Sequence, residues 1–206
     1  MHKLFRLGLI GTMLFGTSLM SSAQAQEQSK SKSAAPSAPP TVTAILDRAL
    51  SGLEREFVPA AEGMPDDKFS FAPTAGEFKG VRTFGEQVRH VAATNYAIAS
   101  GLLQEKAPVD LGKDGDEGPA SMTSKADIVK YLKDSFAYAH KALATVNEGN
   151  IAGQVQSPFG NGKSSRLGLS VSMIGHSRDH YGQMVEYLRM NGIVPPSTQK
   201  YGLAVR

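Results

Sequence analysis

The stretch SRLGLSVSMIGHSRDHYGQMVEYLRMNGIVPP, residues 165–196, decides the fold. From about Ser165 to Asn191 it has helical periodicity, and Leu169, Met173, Met184 and Tyr187 fall on one face at about 100° per residue. Gly192 stands just past the expected end, where a left-handed residue closes a last turn, and Pro195-Pro196 cannot continue the helix. The same face carries His176 and His180, about 40° apart around the axis, with Gln183 within about 20° of His176. Two imidazoles so placed can share one metal ion without any loop having to order. The competing reading is two unrelated histidines on a partly wet face, one of them satisfied by Asp179 or Gln183.

Working outward, three more segments carry the same period. Thr41 to Ala61 places Ile45, Leu46, Ala49, Leu53, Phe57 and Val58 at helical spacings. Thr83-Phe84-Gly85-Glu86 matches a capping box, opening a helix that runs to about Leu103. Ser124, with Asp127 three residues on, starts a helix whose stripe is Ile128, Leu132, Phe136, Ala139, Leu143 and Val146, with Gly149 as its stop. Four long amphipathic helices predict an all-α four-helix bundle. The connections after the first and second helices, residues 62–82 and 104–123, are rich in Pro and Gly and read as long loops, free to cover one end of the bundle. Gln154-Val155-Gln156 is the one short extended piece that residues 150–163 suggest.

The ends of the chain are different in kind. Lys3 and Arg6, the apolar run from Leu7 to Met20 and Ala23-Gln24-Ala25 have the pattern of an export signal cleaved near Ala25. The run is short for a bilayer span, so stable membrane insertion after cleavage is not expected, although an uncleaved anchor is the alternative. Residues 26–40, QEQSKSKSAAPSAPP, have no large apolar side chain and read as a disordered linker. The expected domain is therefore 41–206, in a periplasmic or secreted protein. The chain has no Cys, which excludes disulfide scaffolds, Cys-based zinc sites and lipoprotein anchoring. Without residues 1–25, 20 Lys+Arg stand against 19 Asp+Glu, which gives no basic footprint for nucleic acid.

Two look-alikes fail. Ser157 to Ser164 imitates a phosphate loop, but Ser157 takes the place of its first Gly and no buried strand precedes it. Asp114-Gly-Asp116-Glu117-Gly118 begins like a calcium loop, but Pro119 and the missing final Glu break the pattern, leaving a polar loop.

A metal site needs a third ligand, and His90 and His140 are the remaining histidines of the mature chain. His90 sits about 100° from the centre of its helix's stripe, beside Thr94, Ala97 and Gly101, and His140 about 80° from its own. Both read as boundary residues, and periodicity does not choose between them.

Residues His176-Ser-Arg-Asp-His180-Tyr-Gly182-Gln183, Tyr187-Leu188-Arg189 and Gly192-Ile-Val-Pro195-Pro196 resemble the last helix of the DinB-like superfamily of metalloenzymes. Phe84-Gly85-Glu86-Gln87-Val88-Arg89-His90-Val91-Ala92 resembles that family's second helix, and the similarity extends from about residue 43 to 199. The resemblance implies a four-helix bundle with a divalent ion held by His90, His176 and His180, while His140 matches no ligand position. Tyr181 departs from the pattern, standing where many relatives have Arg.

Three neutral imidazoles would leave the ion its full charge and an open position, the arrangement of catalytic rather than closed structural sites. Such an ion acidifies bound water, polarises a carbonyl or deprotonates a thiol. Zinc or nickel fits best, with iron and manganese also compatible. Gln183 is a candidate to orient water, and Glu86, one turn before His90, to move a proton, although its position in the capping box gives it a structural role as well. The expected function is a metal-dependent hydrolase or thiol transferase acting on a small molecule. The alternatives are a non-catalytic metal-binding or interaction bundle, and a purely structural one that needs no metal. A homodimer fits the family resemblance.

Overall fold

The computed structural model describes residues 38–200. The expected export signal and nearly all of the expected linker lie outside the described residues.

Each long helix begins where a side chain can satisfy its first free N–H groups. Thr41 caps α1 (Val42–Gly63) by accepting from the Ala44 N–H. Thr83 and Glu86 form a reciprocal capping box at the start of α2 (Phe84–Leu103). Ser124 caps α3 (Lys125–Leu143), and Ser165 caps α4 (Arg166–Met190). At the far end of α4, Gly192 has φ +74°, its N–H donates to Arg189 O, and the Ile193 N–H reaches back to Leu188 O at 3.0 Å. This is the glycine closure expected from the sequence.

The helices are not strung in simple alternation. On α2 and α4, Gln87 pairs with Gln183 at one end and Arg166 reaches Leu102 O at the other, so the two are antiparallel. On α2 and α3, Asn95 meets Ser135 and Ser100 meets Tyr138, so these two run the same way. Asp47 with His140 and Glu62 with Lys133 make α1 antiparallel to α3. The order is up, down, down, up. Residues 104–123 must therefore travel back along the whole bundle, rather than cover one end as expected.

That crossover changes the environment of α2. Seventeen of its 20 residues are buried, far more than one amphipathic stripe supplies. Burial on every side is possible because the residues off the stripe are small or can find partners. Asn95, for example, donates to Ser135 and accepts from Ser177 in a buried network that ties α2 to α3 and α4.

Three expectations shift in detail. The buried stripe of α1 is Leu46, Leu50, Leu53, Phe57, Ala60 and Ala61, so Leu46, Leu53 and Phe57 are interior as expected. Ile45 and Ala49 are exposed, because the face toward α3 and α4 turns toward Leu50 and Ala61, away from the edge that carries Ile45 and Ala49. Helix α3 stops at Leu143, before Gly149, and Val146 is buried from the following turn instead. The extended piece gains a partner: β1 (Gln154–Gln156) pairs antiparallel with β2 (Lys163–Ser165), and the phosphate-loop look-alike spans their turn. A short helix α5 (Pro196–Lys200) follows and packs on α1.

Candidate metal centre

Because α2 and α4 are antiparallel, residues that count forward on one count backward on the other, and His90 arrives opposite His176 and His180. The three rings form a triangle with centroid separations of 5.0, 4.9 and 4.5 Å. One ligand nitrogen from each lies within 4.8 Å of the other two. His90 Nε2 stands 3.0 Å from His176 Nε2. His90 and His180 are buried, and His176 is half-buried.

The ring of His90 is held from behind. Its Nδ1 lies 2.7 Å from the backbone carbonyl of Asp116, so Nδ1 carries the proton and Nε2 presents its lone pair to the other histidines. The loop that delivers this carbonyl is itself strapped to α2 and to the residue just ahead of its cap. Arg82 grips Glu117 with two hydrogen bonds, and Arg89 donates to Glu117 O and Met122 O. The polar loop that resembled a calcium site is thus the outer support of His90. Its carboxylates approach His90 as well, with Asp116 Oδ2 3.9 Å from Nδ1.

Burial favours the uncharged ring at all three positions. It lowers the pKa of His90, helped by the nearby Arg82. It pushes His176 down to about 3, with His180, His90 and Arg82 adding to the effect, and His180 down to about 4, with His90 adding to it. Neutral imidazole is the metal-binding form, and His176 Nδ1 and His180 Nδ1 are buried with no hydrogen-bond partner. The donor set fits a divalent ion.

This arrangement predicts an unusual proton count. Three imidazoles with the ordinary pKa of about 6.5 would release about two protons in total on binding metal at pH 6. Here fewer than one should be released, read from calorimetric titrations with zinc in buffers of different ionisation enthalpy. The sign for folding follows from the same shifts. Between about pH 6.5 and 3 the unfolded chain binds protons that the folded chain does not, so the metal-free protein should lose stability as pH falls through that window. Denaturant midpoints at pH 7 and pH 5 measure this.

The other named residues take separate places. His140 lies between α3 and α1, with Nδ1 2.6 Å from Asp47 Oδ1 and Nε2 3.1 Å from Glu54 Oε2, and takes no part in the triangle. Glu86 Oε2 accepts from both the backbone N–H and the hydroxyl of Thr83. Gln183 donates to Asp179 at 2.9 Å and accepts from Gln87 at 2.8 Å. Tyr181 donates to Ser197 and packs against Phe57. Sequence reasoning did not single out Gln87 or Asp116. Asp116 acts through its backbone, which leaves no side-chain signature. Gln87 had one: Gln87-x-x-His90 on one helix mirrors His180-x-x-Gln183 on the other, the pattern of antiparallel partners.

A helical bundle with three imidazoles gathered on its α2–α4 seam defines a class, the all-α bundle with a group able to hold a divalent ion. A family model of the DinB superfamily matches residues 49–184, and the chain belongs to that superfamily. Among solved structures, the crystal structure of a DinB-like protein from Bacillus cereus ATCC 10987 is similar in fold, with a TM-score of 0.61 at 17% identity. The match covers 76% of this chain and 96% of that one. No curated protein matches.

Proposed function

We infer that this is an exported metal-dependent enzyme acting on a small molecule, with hydrolysis favoured over thiol transfer. The observation that carries the reading is the convergence of His90, His176 and His180, all biased toward the neutral form, with one ring fixed by a backbone carbonyl. These three residues would hold the ion. A divalent ion so held supplies Lewis-acid chemistry, polarising a carbonyl oxygen and acidifying a coordinated water or thiol. The protein's own contribution is to keep the three nitrogens deprotonated, hold His90 in one tautomer through Asp116 O, and exclude bulk water from the seam. Zinc or nickel suits a set of three imidazoles best, with iron and manganese also compatible.

The tilt toward hydrolysis rests on location. The residue 1–25 pattern points to the periplasm or the exterior, where low-molecular-weight thiols are scarcer. The balanced charge of the mature chain supports a small-molecule substrate rather than nucleic acid. A homodimer is part of the same proposal, resting on the family.

Purified mature protein should carry about one equivalent of divalent metal, as in other open sites with three protein ligands. It should turn over at least one member of an ester and amide panel, lose that activity to a chelator and regain it with metal. Metal-loaded protein inert toward ester, amide and thiol-transfer panels would favour the non-catalytic metal-binding bundle. Protein that neither contains metal nor takes up zinc or nickel would overturn both readings.

A further inference from the structure

Among the described residues, four buried side-chain polar atoms have no partner: Gln87 Oε1, Thr94 Oγ1, His176 Nδ1 and His180 Nδ1. All four belong to α2 or α4, and they cluster along the seam between those helices. Two are on the candidate ligands. The other two flank His90 on α2, Gln87 one turn before it and Thr94 one turn after. Native proteins rarely leave buried polar atoms unpaired, so a concentration of them marks a place where something outside the protein completes the hydrogen bonds.

Gln87 is the sharper of the two flanking residues, because its orientation is dictated from the surface inward. The Asp179 carboxylate can only accept, so Gln183 must turn its NH2 toward it. Gln183 then presents its carbonyl oxygen to Gln87, which must answer with its own NH2. The carbonyl oxygen of Gln87 is left on the opposite edge of its amide, with its lone pairs unused. Gln87 is 2% exposed, so bulk water does not reach it.

Resting on the metal-site reading above, we propose that Gln87 is a specificity-determining residue. Its Oε1 accepts a hydrogen bond from an N–H or O–H group of the substrate seated at the three-histidine group. The site then selects molecules that carry a donor beside the atom offered to the ion, such as secondary amides, over their N-alkylated counterparts. Gln183 and Asp179 are positioning residues, which hold the Gln87 amide one way round. No covalent step is involved; the selection is made in binding.

The test uses zinc-loaded mature protein and two matched probes, acetohydroxamate and N-methylacetohydroxamate. They share the same two chelating oxygens, and only the first has an N–H. Wild type should bind acetohydroxamate about tenfold more tightly, the range of one buried hydrogen bond made or lost. Gln87→Met should bring the two affinities within about twofold of each other while zinc content stays unchanged. The exposed variant Asp179→Ala should lower the ratio partway, because both amides are then free to turn over, and it carries the test if Gln87→Met does not fold.

Equal affinity of wild type for the two probes overturns the proposal, as does an unchanged ratio in Gln87→Met. A loss of zinc, or an equal loss of both probes, in Gln87→Met would assign Gln87 to holding a histidine and overturn it too. Wild type that takes up no zinc removes the metal-site reading itself, a failure distinct from the others.

Discussion

His90→Ala, His176→Ala and His180→Ala should each abolish stoichiometric metal binding, whereas His140→Ala should retain it. Each of the first three removes one nitrogen from a set whose members all lie within 4.8 Å of one another. Losing an outer hydrogen-bond partner of a ligand typically costs metal sites 10–100-fold in affinity, so loss of a ligand itself should exceed about 100-fold. The metal-free variants should still fold. The helix caps and the Asn95 network are untouched, and His176→Ala and His180→Ala each delete a buried nitrogen that has no partner in the protein. His140→Ala is the informative control. It costs the contacts with Asp47 and Glu54 that join α3 to α1, and so should lower stability without moving metal content. Elemental analysis beside circular dichroism separates the two effects. Metal retained by His90→Ala, or lost by His140→Ala, would show that the ion is bound elsewhere.

The second large effect should come from a residue that cannot touch the ion. Gly112 has φ +73°, and a Cβ there would lie 1.9 Å from the backbone oxygen of Gly118. No side chain can swing away to make room, since the obstruction is main chain. Gly112 and Gly118 are bridged across the crossover loop, and Gly118 N–H donates to Leu111 O at 2.7 Å. Asp116, whose carbonyl fixes the His90 ring, lies inside that closed turn. Gly112→Ala should therefore open the turn, free His90 to adopt either tautomer and lower metal affinity by about 10–100-fold, the range for losing the partner that orients a ligand. With ψ at −160° this position also has a backbone conformation that essentially only glycine adopts, which costs a residue with a Cβ about 1–3 kcal/mol, so a drop in denaturant midpoint should accompany it. The decisive reading is the imidazole signal of His90 in nitrogen NMR of metal-free protein. In wild type Nδ1 should be the protonated nitrogen, and in Gly112→Ala a mixture should appear. A variant with one tautomer and undiminished metal affinity would show that the loop does not govern the ring.

The sequence by itself determined the four long helices, their N-terminal caps and the glycine closure of α4, whereas α3 ends at Leu143, ahead of the Gly149 stop that its sequence suggested. Thr83 with Glu86, Ser124 with Asp127 and Gly192 before Pro195-Pro196 are local chemistry, complete within a few residues of chain, so no distant contact was needed to read them. The His176 and His180 pair was legible for the same reason, being fixed by the pitch of one helix.

Periodicity left open which third histidine joins them; the family resemblance pointed to His90, and only the tertiary structure supplies the physical reason that His90 becomes a buried partner. His90 lies about 100° from the stripe of its own helix, and a helix read in isolation leaves that side wet. It becomes interior because α2 and α3 run parallel, which forces residues 104–123 back along the bundle and over α2, bringing the Asp116 carbonyl to His90 Nδ1. Helix direction depends on packing between segments far apart in the chain. For that reason no count of residues along α2 could reveal the support behind His90, nor the amide chain from Asp179 to Gln87.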